Sequence, residues 1–211
     1  MRRRTAAAIG LLTAGAALTA YAGSTYERGW LAQERARTEW DARVARTAVE
    51  RGRSASLPTA TDGEPALGAP VARLVIPKVA LDDIVLEGVT DASLNGGPGH
   101  LPGSVLPGIA GNSVISAHRD RHFRRLGELS LGDTVTTYTD RDTTTWRIVS
   151  RIVVNRGAPA LHKEPVPVLT LTTCWPIGYL GGAPERLIIK AVPITPVHSD
   201  GARGSPATRS S

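Results

Sequence analysis

Apolar residues fall along this chain in three different rhythms. From Ala6 to Ala22 they run almost unbroken behind Met1-Arg-Arg-Arg4. That is about one bilayer's worth of helix, at the short and alanine-rich end of the range. From Tyr26 to about Arg51 the spacing is helical and charges are interleaved: Glu27, Arg28, Trp30, Leu31, Glu34, Arg35, Trp40 and Val44. Glu39 lies four residues before Arg43, a pairing that supports an exposed helix surface. Beyond Pro70 the rhythm shortens to strand-like runs: Ala72–Ile76, Ile84–Glu87, Ser113–Ala117, Thr134–Thr139, Thr144–Val154, Val168–Thr173 and Leu187–Val192. Turn residues separate most of them, as at Asn95-Gly-Gly-Pro-Gly, Pro107-Gly, Gly111-Asn and Gly132-Asp. Seven or eight short strands without intervening amphipathic helices predict an all-β sandwich or barrel. Arg121 to Leu129 is the one segment expected as a short helix. No internal repeat is present.

The stretches between these rhythms set the expected domains. Gly52 to Ala69 is poor in apolar residues and rich in Gly, Pro and small residues, so it reads as a linker. The chain from about Ile194 to Ser211 reads as a second such tail. The division is therefore 1–25 membrane segment, 26–51 juxtamembrane helix, 52–69 linker, 70–193 folded domain and 194–211 tail. The domain is expected to fold without the arm before it.

Two readings of the first segment stand side by side. Ala20-Tyr-Ala22 resembles a small-x-small cleavage site, which would make it a removable signal peptide. Uncleaved, it is an anchor with Arg2 to Arg4 on the cytoplasmic side and everything after Gly23 outside. The anchor is the preferred reading, and either one exports the remainder.

Composition and charge sharpen this picture. The 211 residues hold 22 Gly and 15 Pro but a single Phe, Met and Cys. The core must then come from Val, Ile and Leu with a few Trp and Tyr, material that favours strands and tight turns. Residues 1–55 carry ten Arg against five acids, so this arm supplies +5 of the formal +6. The arm helix is expected as a solvated stalk, the alternative being a helix lying near anionic headgroups, helped by Trp30. The remaining chain is nearly neutral, which argues against nucleic acid as a partner.

The lone cysteine is Cys174, within Thr170-Leu-Thr-Thr-Cys174-Trp-Pro176. One cysteine closes no internal disulfide, so the thiol is buried filler, an intermolecular link or a reagent. Free cysteine is among the most buried residue types. Exported domains that use cysteine structurally carry it in pairs, however, and an unpaired one at a strand end reads as a reactive thiol.

A thiol near its reference pKa of about 8.5 is mostly protonated at neutral pH and needs a base or cation beside it. Of the five histidines, His198 lies in the tail, His162 in the loop 157–163 and His122 at the head of the expected helix. His100 closes the rigid turn Gly97-Pro-Gly-His. His118 follows Ser113-Val-Ile-Ser-Ala117 directly, at the end of a probable central strand, where a scaffold fixes a functional side chain. The other four are expected as hydrogen-bonded surface or loop residues. Arg186 begins the strand after Cys174. If the two strands are hairpin neighbours, a permanent cation there is placed to hold an oxyanion or a substrate carbonyl. The bland alternative is a strand-edge charge paired with Glu185 or another carboxylate. There is no second cysteine, no HExxH and no Gly-rich phosphate loop, so metal and nucleotide chemistry find no support.

These residues resemble the sortase family. Thr170-Leu-Thr-Thr-Cys174 with Arg186-Leu-Ile-Ile-Lys-Ala191 is similar to its TLxTC motif and downstream arginine. Gly111-Asn-Ser-Val-Ile-Ser-Ala-His118-Arg-Asp120 resembles its histidine segment. Gly97-Pro-Gly-His100, Pro107-Gly and the run from Phe123 through Gly132-Asp also fit. The likeness spans about Leu74 to Val192. Cys174-Trp-Pro and the His-Arg-Asp run look most like class D, with class E second, although Arg121 and His122 stand where Thr and an aromatic are expected.

The resemblance implies an eight-stranded β-barrel displaying His118, Cys174 and Arg186 at one end. It implies a membrane-anchored transpeptidase that cuts an LPxTG-like C-terminal sorting signal of exported proteins. The new carboxyl end then joins an amine of the cell wall or of another protein. Cys174 would be the nucleophile, His118 the general acid and base, and Arg186 the oxyanion and substrate-binding residue, with Thr173 a lesser contributor to the oxyanion site. No cofactor is expected, and the residues leave calcium dependence open. A purely hydrolytic cysteine peptidase and a non-catalytic barrel module are the competing classes.

Overall fold

The computed structural model describes residues 2–53, 64–179 and 181–194. It is a closed barrel of eight strands: β1 (Pro70–Ile76), β2 (Leu81–Glu87), β3 (Gly99–His100), β4 (Gly111–Ser116), β5 (Thr134–Tyr138), β6 (Thr143–Asn155), β7 (Pro167–Trp175) and β8 (Glu185–Pro193). Around the barrel they run β1-β2-β3-β4-β7-β8-β6-β5, and β5 closes on β1. The pairs β2–β3 and β4–β7 are parallel and the others antiparallel. Among the described residues there are two α-helices, α1 (Arg2–Arg53) and α2 (Asp91–Gly96). The linker residues 54–63 and the tail 195–211 lie outside the described residues.

Strand alternation puts Leu74, Ile76, Val85, Ile115, Val135, Trp146, Ile148, Leu169, Leu171, Leu187 and Ile189 into one buried core. Trp146 is fully buried and its indole N–H donates to Thr137 Oγ1 at 2.8 Å, which satisfies the one polar atom such a side chain brings inside. The segment expected as a helix at Arg121–Leu129 is instead a run of turns ending in a 3-10 turn at Leu126–Glu128. Its apolar residues Phe123, Leu126 and Leu129 all enter the barrel core. They recur every three residues, a spacing that this run of turns keeps on the side facing the core. The helix that does form, α2, is capped by Thr90, whose side chain accepts from the Ser93 N–H.

The arm before the barrel is one continuous helix, and its middle is no solvated stalk. Ala36 and Trp40 pack with Ile84 and Leu86 against the outside of the barrel. Gln33 makes three hydrogen bonds there. Its Nε2 donates to Ile84 O at 3.0 Å and Gly96 O at 2.8 Å, while its Oε1 accepts from Ile84 N at 2.9 Å. The reason is a gap in the sheet: β3 has two residues and meets β2 only at Leu86 and Glu87. Ile84 therefore turns a backbone N–H and C=O toward a place where no strand runs, and the Gln33 amide supplies both missing partners. A Cβ at Gly97 would collide with that amide. Arg37 donates to Asp82 O and Arg43 to Pro70 O, each at 2.7 Å. Asp82 also takes a two-pronged bond from Arg73, at 2.7 and 2.6 Å, which holds its carboxyl below the usual range.

Nearer its start, α1 leaves Ile9, Leu11, Leu12, Leu18 and Tyr21 exposed. Among the described residues no helix is long and apolar enough to cross a membrane; alanine and glycine dilute the large aliphatic residues of this stretch.

Gln33→Ala is expected to leave the Ile84 N–H and C=O buried and unpaired, lowering stability by about 1–3 kcal/mol. Leu31→Ala on the exposed side of the same helix is expected to stay within about 0.5 kcal/mol of wild type. Urea unfolding of the two variants of the full chain checks this. Equal, negligible losses would mean that the helix rests on the barrel without supporting it.

Candidate active site

The side-chain alternation along β7 decides what faces out. Leu169 and Leu171 point into the core, and Thr173 follows them and is buried. Cys174 therefore lies on the outer face with Thr170 and Thr172, and it is half-buried. On the neighbouring antiparallel strand Leu187 and Ile189 point inward, so Arg186 and Ile188 face out. Cys174 and Arg186 are direct cross-strand partners, a relation that sets their Cβ atoms roughly 5 Å apart on one face. Among the described residues Arg186 pairs with no carboxylate, so the strand-edge ion pair weighed from the sequence does not form there.

His118 comes from the other side of β7. The parallel pair β4–β7 keeps one register from Gly111↔Pro167 to Ser116↔Thr172. His118 lies two residues past the last paired position on β4, as Cys174 does on β7. The Ala117 N–H donates to Thr172 O at 3.3 Å, and Thr173 Oγ1 donates to Ala117 O at 2.7 Å. The chain turns immediately afterwards, with His118 O accepting from Arg121 N and Phe123 N at 3.3 and 3.2 Å. The three residues singled out from the sequence thus sit at corresponding ends of three adjacent strands. The Thr173 hydroxyl is thus engaged by the carbonyl just before His118.

Below Cys174 the outer face is covered. Ala160 packs on Val114 and Ile188, joined by Leu101 and Val154. Asn112 donates to Ala160 O at 3.2 Å and accepts from Thr170 Oγ1 at 2.7 Å, while Lys190 bonds Glu164 Oε1 at 2.9 Å. These contacts fasten the 156–166 loop over the β4–β7–β8 face. Thr172 Oγ1 is buried there without a hydrogen-bond partner among the described residues. Beyond the thiol, the Arg151 guanidinium stacks over the Trp175 ring at 5.4 Å. Gly127 lies against the same indole, where a Cβ would come within 2.8 Å of Trp175 Cζ3.

The remaining histidines take other places. His122 Nδ1 pairs with Asp83 Oδ2 at 2.8 Å, and His162 is exposed in its loop. His198 lies outside the described residues. His100 is hydrogen-bonded, as expected, but it is buried rather than at the surface. Its Nδ1 is 2.7 Å from Glu87 Oε2, and its Nε2 is 3.0 Å from Val105 O. Ser104 Oγ lies 2.9 Å from the same Nε2. Sequence reading also missed Arg119, whose Nη2 donates to Tyr179 O and Gly181 O at 2.8 and 2.6 Å. A side chain that acts on main-chain carbonyls leaves no pattern in the sequence.

Residues 74–194 match the family model described as the sortase domain. Sortase D of Bacillus subtilis (strain 168) is 30% identical over 197 residues, covering 88% of this chain and 96% of that protein. The catalytic domain of B. anthracis SrtD is 34% identical, covers 66% of this chain and 97% of its own, and superposes with a TM-score of 0.54. A Sortase D5 transpeptidase from Clostridium perfringens shares the fold at a TM-score of 0.66 and 24% identity, over 78% of this chain and 99% of that one. With its eight-stranded barrel and single cysteine, the chain belongs to the sortase family of cysteine transpeptidases and is class D-like within it.

Proposed function

We propose that this sortase is held at the outer side of the membrane, where it cleaves an LPxTG-like C-terminal sorting signal and transfers the exported protein to an amine. The observation that carries the reading is the cross-strand pairing of Cys174 with Arg186, beside the strand that leads into His118. In this mechanism the Cys174 thiolate attacks the scissile carbonyl carbon, and the Arg186 guanidinium holds the oxyanion that develops. The His118 imidazolium protonates the departing amine, and a thioester remains. An acceptor amine from the cell wall or a protein lysine then attacks the thioester as His118 takes its proton, and Cys174 leaves as thiolate. The Thr173 hydroxyl is already bonded to Ala117, so its side chain ties the two strands together; any oxyanion contribution falls to its main chain.

Attachment to the membrane is drawn from the start of α1. Ile9, Leu11, Leu12, Leu18 and Tyr21 follow Arg2–Arg4 in sequence and are exposed among the described residues. Mass spectrometry of the native, membrane-extracted protein is expected to find this segment. A mature N-terminus at Gly23 would make it a cleaved signal peptide instead.

Cys174→Ala is expected to abolish thioester formation, since no other thiol is present. Arg186→Ala is expected to leave the thiol open to alkylation while slowing acylation on the order of 10²–10³-fold. Arg186→Lys should rescue little if a planar guanidinium is used. Acylation assays with a sorting-signal peptide, with and without an added amine, read all three. Near-wild-type turnover in Arg186→Ala would remove that residue from the mechanism. Cleavage without amine exchange would make the chain a hydrolytic peptidase, and no cleavage at all a binding module.

The acid–base role of His118 has its own test. His118→Ala is expected to slow both acylation by the peptide and transfer to the added amine on the order of 10²–10⁴-fold. Unchanged acylation and transfer in that variant would sink the proposed role.

A further inference from the structure

Arg119 stands directly after His118 and is half-buried. Its Nη2 donates to Tyr179 O at 2.8 Å and to Gly181 O at 2.6 Å. Both carbonyls belong to the segment 176–184, which joins β7 to β8 and so lies between Cys174 and Arg186 in the chain. A single guanidinium therefore links the turn that carries His118 to the connection between the other two residues. The strands cannot make this link themselves: β4 ends at Ser116, and the β4–β7 pairing ends at Thr172. Past those positions the β4 side turns away while β7 continues beside β8 to Trp175. Gly181 meets the arginine with φ at +91°, in the left-handed region that aims its carbonyl where an ordinary residue would be strained. The bonds are charge-assisted and short, the stronger kind of hydrogen bond.

We infer that Arg119 is a positioning residue for the transfer reaction, holding the β7–β8 connection against the His118 turn so that His118, Cys174 and Arg186 keep one mutual geometry. The inference rests on the transpeptidase reading above. It requires no contact between Arg119 and substrate, since its Nη2 hydrogens are directed at protein carbonyls. Its effect falls on the rate of reaction within the bound complex, because a displacement of about 1 Å in a reacting constellation costs on the order of 10² in rate.

The test uses the full chain with Arg119→Met, which keeps the stem and removes the donors, and Arg119→Lys, which keeps the charge and can reach one carbonyl. Amide exchange at Tyr179, whose N–H bonds Pro176 O within the connection, is expected to quicken in Arg119→Met while exchange across β1–β8 stays at wild-type rates. The kcat for acylation by a sorting-signal peptide is expected to fall roughly ten- to a hundredfold, with KM within about twofold. Arg119→Lys should recover part of the kcat. Unchanged exchange at Tyr179 overturns the inference, and so does quickened exchange with wild-type kcat. A fall in kcat that comes with faster exchange throughout the barrel also overturns it, since the arginine would then serve stability alone. A wild-type enzyme that forms no thioester defeats the transpeptidase reading itself. That failure is seen without any variant, and the exchange measurement still reports whether Arg119 fastens the connection.

Discussion

Everything at the site depends on the register of three strands. Side chains on a strand alternate with a period of two, so a slip of one residue in β7 would turn Cys174 into the core and bring Thr173 outside. Leu169 and Leu171 oppose such a slip because both are fully buried in the barrel. Thr170 to Asn112 and Thr173 to Ala117 oppose it in another way, since each bond exists only in the observed pairing of β7 with β4. The antiparallel partner β8 then has one alignment left, with Arg186 opposite Cys174. Apolar burial thus chooses the face, and a few buried threonine hydroxyls choose the position along it.

The chain announced this core more clearly than its surroundings. Runs rich in Val, Ile and Leu with turn residues between them marked seven strands, and their ends placed His118, Cys174 and Arg186 at strand termini. β3 escaped because Gly99-His100 is too short to make a pattern, and it is a strand only through its neighbours β2 and β4. The turns at 121–129 were mistaken for a helix because three apolar residues spaced three apart fit either description over so short a run. Gln33 gave no signal at all: one neutral amide among charged residues looks like surface, and only the incomplete seam beside β2 gives it a partner. The same holds for Arg119 and for the buried pair His100 and Glu87, whose meaning lies in carbonyls and carboxylates far from them in sequence or hidden in the fold.

Two polar devices therefore supplement the barrel where its strands are short. One lies beside the reactive end, where a guanidinium gathers the carbonyls of a connection. The other lies between β2 and α2, where a glutamine amide joins the helix to the sheet. Both substitute for backbone pairing that the topology does not provide, and both use a side chain long enough to reach across a missing strand.

The seam beside Ile84 has a further consequence for how copies of this protein behave when crowded. A barrel is usually proof against strand-to-strand association because closure leaves no edge. Here closure is incomplete at one backbone position, and α1 acts as the stopper. A chain clipped by a protease between the start of α1 and Gln33 would keep its stopper in place. A cut just beyond Trp40 would free it and present an N–H and a C=O to extended segments of neighbouring molecules. The helix α1 is thus also the guard that keeps each barrel to itself.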